Sequence, residues 1–560
     1  MIMNMKKHKL FILILILALG IFFRFFRLTE IPLGLYPDEA MNGNNVLEAQ
    51  STHNYKVFYT ENNGREGLFI NLQGISLSLF GREPWALRGV SALMGSLTIL
   101  GIFLLAREMF SQRGNKKKRG GAATIALISA FFIATSYWHI NFSRIGFRAI
   151  MLPLLSAFGI YFLLRGLRTK NIWTLALAGI VAGLGFQTYI AFRFFPFIAA
   201  IPLLPELWNY FRAKKPMNSQ TPHKWSTVSC GPCAVALYLF VIFVTALPIG
   251  VYFLQNPQDF IGRSGQVSIF ATPSPVKTFI DTNVKTIGMF FVKGDCNTRH
   301  NYACQPELVW PVAIFFAFGI MLTIRDLFKR TYEKTYVPVL LLGWLFIMSL
   351  PATLTWEGIP HALRSIGMIP PVMILAGFGC WQLMAALLNW FERQKTSFPE
   401  KIPQLARIQK EIKILFMALV LLIPIYTYRD YFIFWAHSTD TYYAFTTDLY
   451  HVGEFLRDKP DDVTAFVVVN TGGTEVRGIP MPAQTVMFVT NTFMETEREA
   501  KHIYYVRTDQ LDKIKIAPGQ KAVISLLDGS DRATISKLKK MFPHFKTQAP
   551  SDFTILENYY

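Results

Sequence analysis

Charge is scarce in this chain. Only 16% of its 560 residues are Asp, Glu, Lys or Arg, against roughly 25% in an ordinary soluble domain. That deficit argues against one large solvated globule. With 52% hydrophobic residues and a mean hydropathy of +0.31 it points to burial in lipid. Cysteine is scarce too, and five residues are too few for a disulfide-built scaffold. No P-loop, Gly-x-Gly-x-x-Gly, His-Glu-x-x-His or Gly-x-Ser-x-Gly pattern occurs, so soluble nucleotide-sugar chemistry is unsupported. The N-terminal MIMNMKKHKLFILILILALGIFF lacks a small-residue cleavage site and reads as a retained first span rather than a signal peptide.

What is plentiful fits a bilayer. Aromatic residues make up 15%, with 49 Phe, which suits helices packed among acyl chains and rings at the interfaces. The formal charge of +20 would also suit nucleic acid. The basic residues, however, sit in short loops between apolar stretches, where Lys and Arg hold a loop in the cytoplasm. No nucleic-acid partner is expected.

A helix crosses the bilayer with about 20 apolar residues. About eleven stretches approach that length, over 10–26, 85–106, 122–138, 149–164, 173–191, 194–207, 233–254, 308–324, 336–354, 366–388 and 412–426. Lys6, Lys7 and Lys9 place the N-terminus in the cytoplasm. Alternation then makes cytoplasmic the loops with Lys116, Lys117, Lys118 and Arg119; Arg165, Arg168 and Lys170; Arg212, Lys214 and Lys215; Lys329 and Arg330; Arg393 and Lys395. All are basic. The first outside loop, 28–84, is rich in acids instead, and a second long outside loop runs over 255–307.

Residues 1–430 thus read as an all-α, multi-pass transmembrane domain of the cell membrane. Residues 431–560 read as a small soluble extracytoplasmic α/β domain. Its helix-like DLYHVGEFLRD is followed by strand-like TAFVVV, HIYYV and KAVISLL, and by a second helix near 533–541. Cys230 and Cys233 form CGPC, which resembles a thioredoxin redox motif. It opens an apolar span rather than following a strand, so it reads as coincidence. Cys296 and Cys304 share one polar outside loop, where a disulfide persists, and are a candidate pair.

Three features carry chemistry. Tyr36-Pro37-Asp38-Glu39-Ala40 puts two carboxylates at the membrane surface, suited to general-base work, although acids at a helix N-terminus look the same. Glu61-Asn62-Asn63-Gly64-Arg65-Glu66-Gly67 could bring Glu66 and Arg65 to a sugar, or be a plain turn. The third is a set of outside basic residues that breaks the charge parity: Arg144, Arg148, Arg193, Arg299, His300, His361 and Arg364. A lipid-linked phosphate is a natural counter-ion for them; snorkelling at a helix end is the plainer reading of each alone.

YPDEA after the first span resembles the Asp-Glu motif of the protein O-mannosyltransferase superfamily. GREGLFINLQGISLSLFGREPWALRGVSALMGSLTILGIFLLAREMF resembles the segment entering the second span in bacterial members, which include the lipid A aminoarabinose transferases. KGDCNTRHN and PHALRSIGMIPP are similar to loops of another bacterial branch. The likeness covers roughly the first third by sequence and the rest by topology. It implies the GT-C fold, with outside juxtamembrane helices, and a polyprenyl- or dolichyl-phosphate sugar donor. It places Asp38 at the reaction centre and Glu66 as the later loop acid. Arg65-Glu66-Gly67 departs from the Lys-Pro-Pro run of the lipid A enzymes, a difference that bears on the acceptor.

The reading is a mannosyltransferase-like glycosyltransferase taking a sugar from a polyprenyl-phosphate donor among membrane lipids to a protein, lipid or glycan hydroxyl. Asp38, Glu39 and Glu66 are its catalytic candidates. No ligand cluster demands a cofactor, and a divalent metal at Glu39 or Glu66 stays open. A transporter or flippase of lipid-linked saccharides, or a non-catalytic assembly subunit, are the alternatives. A transporter calls for charges deep in its spans and repeat symmetry; here charges cluster at the outer surface.

Overall fold

The computed structural model describes residues 7–111, 119–212, 226–228, 230–262, 267–328 and 336–559. Lys6, Lys116, Lys117, Lys118, Lys214, Lys215, Lys329 and Arg330 of the charge parity lie outside the described residues.

Each of the eleven apolar stretches falls on helix. Among the described residues eight helices are long and apolar enough to cross a membrane: Lys7–Phe25, Pro84–Ser111, Arg148–Thr169, Ile190–Arg212, Gly231–Gln255, Trp310–Phe328, Tyr336–Thr353 and Ile366–Ser397. The chain is a multi-pass membrane protein. The other three stretches differ for visible reasons. Gly121–Ala134 and Ile172–Gly185 are apolar but shorter. Helix Ile402–Tyr428 is long, but its first half carries Arg407, Lys410, Glu411 and Lys413.

Two compact units emerge. The first comprises Met1–Phe26, Ser91–Arg144 and Arg148–Ile433; the second comprises Arg27–Val90, Ile145–Phe147 and Phe434–Tyr560. In the first, helix Trp310–Phe328 packs on helix Ile369–Ser397. Glycines let the backbones touch: a Cβ on Gly319 would lie 2.0 Å from Leu375 O, and one on Gly379 2.0 Å from Phe315 O. Small residues serve membrane helix pairs in this way. Gly319→Ala should therefore push the helices apart and destabilise the chain by about 1–3 kcal/mol, read as a lower thermal unfolding midpoint. An unchanged midpoint would contradict this close crossing.

CGPC is closed as a disulfide between Cys230 and Cys233 at the start of helix Gly231–Gln255. No strand precedes it among the described residues of that segment.

The second unit holds a five-stranded sheet. Strand Thr464–Val469 is interior, with Ile503–Arg507 and Ala522–Leu526 parallel to it on either side. Ile555–Glu557 runs antiparallel to Ala522–Leu526, and Lys546–Gln548 closes that edge. All six residues of TAFVVV are buried, as a parallel strand covered on both faces must be. Its alternate side chains feed two cores. Ala465, Val467 and Val469 join Leu449, Val452 and Leu456 of helix Thr447–Arg457. Phe466 and Val468 join Ile524 and Leu538, the latter from helix Arg532–Met541.

The same unit contains two helices from the loop after the first span, Pro37–Thr52 and Gly67–Phe80. Helix Ala483–Thr490, buried at every residue, packs on Pro37–Thr52. Asn44 donates to the main-chain and side-chain oxygens of Gln484, and Thr485 and Thr446 both donate to Leu35 O. The C-terminal segment thereby braces the helix that carries Asp38.

Candidate active site

In the second unit Pro37, Asp38 and Glu39 form the first turn of helix Pro37–Thr52. The two acids, adjacent in sequence, have different surroundings. Glu39 is wholly buried and fully engaged. Its carboxylate accepts from Arg88 Nε (2.9 Å) and Nη2 (3.0 Å), Gly146 N (2.7 Å) and Tyr36 N (3.3 Å). Arg88, also buried, donates as well to Pro32 O (2.6 Å) and Gly34 O (2.9 Å). This pair ties the chain before the helix to the start of helix Pro84–Ser111. Asp38 is half-buried, and its Oδ1 accepts from Asn62 Nδ2 at 2.7 Å.

Asn62 lies in the turn of a short hairpin in which Phe58 pairs with Glu66 and Tyr59 with Arg65. Asn62, Asn63 and Gly64 all have positive φ there, which Asn and Gly accept most readily. Arg65 Nη1 donates to Asn42 Oδ1 at 2.6 Å, and Nη2 bonds Asn45 Oδ1. Asp38, Asn42 and Asn45 are spaced four and then three residues apart, hence on one helix face, and that face receives the hairpin. Glu66 is buried at the start of helix Gly67–Phe80. Arg477 brackets the arrangement by pairing with Glu48 (2.8 Å) and Glu61 (3.1 Å). Burial works to raise the Glu61 carboxyl, but a backbone hydrogen bond and Arg477 outweigh it and hold the group below its ordinary range.

YPDEA and ENNGREG, 20-odd residues apart, are thus one polar cluster. Asn42, Asn45 and Arg88 were not among the expected site residues, and Asn62 was read only as part of its turn motif. The helical spacing of the Asn residues and the lone Arg opening an apolar helix were the available signals.

The basic set belongs to the first unit, Arg144 to Arg364. Arg144 is fully buried. It donates to Phe23 O (3.1 Å) and Arg24 O (2.9 Å) and stacks on Tyr431 and Phe432. It therefore satisfies carbonyls at the end of helix Lys7–Phe25, which intrahelical bonds leave open. Arg148 lies over Tyr189. Arg193 donates to Phe260 O (2.6 Å) and stacks on that ring. Arg299 Nε bonds Asn297 Oδ1 at 3.2 Å. Arg364 Nη1 donates to Thr355 Oγ1 (2.9 Å) and Glu357 O (2.7 Å).

His300 and His361 come together around Asp295, which the sequence reading did not single out. His300 Nδ1 and Ala362 N each lie 2.8 Å from Asp295 Oδ2, and His361 Nδ1 lies 3.8 Å from it. A disulfide between Cys296 and Cys304 closes the loop. Asn301 Nδ2 donates to Asp295 O and Gln305 O within it. Glu307 Oε1 accepts from Asp295 N; burial, and the Asp295 carboxylate nearby, push the Glu307 carboxyl well above its usual range against that hydrogen bond. Asp295, His300 and His361 line a cavity of about 660 Å³ together with Lys285, Lys293 and Cys296. Among the described residues this trio is a group able to hold a metal ion.

Residues 68–221 match the family model for dolichyl-phosphate-mannose-protein mannosyltransferase. The chain is similar to the structure of ArnT from Cupriavidus metallidurans bound to undecaprenyl phosphate, at 12% identity and a TM-score of 0.58 over 98% of each chain. The apo structure of the same protein matches at 12% identity and a TM-score of 0.57, over 98% of this chain and 97% of that one. Comparison with curated proteins by sequence finds no match. The chain therefore has the GT-C fold of these structures, and the segment that matches the mannosyltransferase model begins just after Glu66.

Proposed function

We propose that this chain is a glycosyltransferase that moves a sugar from a polyprenyl-phosphate-linked donor to an acceptor hydroxyl at the outer face of the cell membrane. The observation that carries the reading is Asp38. It is a half-buried carboxylate on a braced helix N-terminus, held by a neutral amide, and it lies upstream of the segment that matches the mannosyltransferase model, residues 68–221. The donor class is supported by the fold, shared along its length with a protein whose structure holds undecaprenyl phosphate.

The chemistry is one displacement. The acceptor oxygen attacks the anomeric carbon while Asp38 takes its proton, and the bond from that carbon to the lipid-phosphate oxygen breaks. The leaving phosphate gains charge, which cationic side chains stabilise. Glu39 positions Asp38 through Arg88. Transfer of a radiolabelled sugar from a polyprenyl-phosphate donor in proteoliposomes tests this. A chain that carries the donor across the bilayer intact, without transfer, is a transporter instead.

Arg364 is the proposed phosphate partner among the half-buried cations. Arg364→Ala should raise KM for the donor by about 10–100-fold, the worth of a hydrogen bond to a charged group, and leave kcat near wild type. A fall in kcat at unchanged KM would remove Arg364 from donor binding.

The charge parity puts the N-terminus in the cytoplasm and residues 431–560 outside. Ser530 is exposed, so Ser530→Cys should react with a membrane-impermeant thiol reagent added to intact cells. Reaction only after lysis would reverse the orientation.

A further inference from the structure

We propose that Asp295, His300 and His361 form a binding site for a divalent cation of the zinc type, with one coordination position facing the cavity they line. It goes beyond the glycosyltransferase reading and does not depend on it.

The donor set comes first. Two imidazoles and a carboxylate suit Zn²⁺ and its first-row neighbours, whereas Mg²⁺ and Ca²⁺ take oxygen ligands. One ligand atom from each residue lies within 4.8 Å of the other two. In a tetrahedral site with bonds of about 2.1 Å, donors stand about 3.4 Å apart. Closing the longest separation takes little more than an ångström. His361 is the only one of the three that is not fully buried, and its side chain can supply that shift.

Construction is the second observation. Asp295 and His300 are 3% and 5% exposed. They sit on a loop fixed by the Cys296–Cys304 disulfide and by both Asn301 hydrogen bonds. Ala362 N already grips Asp295 Oδ2, fixing the carboxylate and drawing the segment with His361 toward it. Support of this kind around the ligands is what metal sites need for orientation. The cavity is the third observation. All three residues line it, along with Lys285 and Lys293. Three protein ligands and a reachable fourth position make an open site, and the two lysines favour an anionic oxygen or water there.

The test is metal uptake by the untagged full-length chain, purified in detergent without reductant, stripped with chelator and titrated with ZnCl₂ by calorimetry. Bound metal per chain is then measured after desalting. The expected result is one Zn²⁺ per chain, retained in millimolar Mg²⁺. Affinity should fall at least ~100-fold in His300→Ala and in His361→Ala. Cobalt in place of zinc should give the visible absorption of a tetrahedral N/O site, lost in both variants. His300 is in the core of its loop, so a misfolded His300→Ala leaves the half-buried His361→Ala to decide, with gel filtration as the check on folding. Substoichiometric zinc in the wild type, displacement by Mg²⁺, or unchanged affinity in folded His361→Ala would overturn the site and leave a plain Asp–His hydrogen-bonded cluster.

Discussion

Asp38→Asn should lower the turnover of sugar transfer by about 10²–10⁴-fold, the usual contribution of a positioned general base. The substitution keeps the shape. The amide oxygen of the replacement can still accept from Asn62 Nδ2, which in the wild type lies 2.7 Å from Asp38 Oδ1, so the hairpin should stay seated. What disappears is the proton acceptor. KM for the donor and insertion into the membrane should stay near wild type. Initial rates in proteoliposomes over a range of donor concentrations measure both constants. Full turnover in Asp38→Asn would remove it from the chemistry and leave it as one more acid in a first helical turn, where the dipole favours it.

Arg88→Met carries the second large effect, on stability rather than chemistry. Glu39 and Arg88 are both buried, and each oxygen of Glu39 faces Arg88. Removing one partner of a buried pair leaves an uncompensated charge, which costs about 3–5 kcal/mol. The Pro32 and Gly34 carbonyls would lose their donors as well. The expected outcome is a markedly lower unfolding midpoint and poor accumulation in the membrane. Adding Glu39→Met to Arg88→Met should restore part of the loss, since no lone charge then remains buried. Wild-type stability in Arg88→Met alone would show that the pair is not what holds the helix start.

These two residues show how far the sequence could be read. The spans were legible because lipid demands about 20 apolar residues in succession. The sheet was legible at TAFVVV and KAVISLL, where β-branched residues run together between turn signals. The short strands Lys546–Gln548 and Ile555–Glu557 were not, being three residues each. Helix Ala483–Thr490 was hidden for a related reason: buried on all sides, it shows no amphipathic period.

Asp38 and Glu39 were singled out through a motif, but their different surroundings were not. Only the fold brings Arg88 to one of them, from 49 residues along the chain. Arg144 shows the opposite case. An Arg that breaks the charge parity suggested a phosphate partner, yet it donates to main-chain carbonyls. Charge parity cannot distinguish an Arg aimed at a ligand from one that closes a helix end. Asp295 escaped notice because its partners lie five and 66 residues away.

A sugar drawn from a lipid monophosphate fixes the product stoichiometry. The reconstituted chain, supplied with a polyprenyl-phosphate sugar and an acceptor fraction, is followed by mass spectrometry of the lipid and by label in the acceptor. The expected result is one polyprenyl monophosphate freed for each sugar transferred, with both products suppressed together in Asp38→Asn. Sugar appearing in the acceptor without release of polyprenyl phosphate, or an intact donor after incubation under conditions where it is bound, would contradict it.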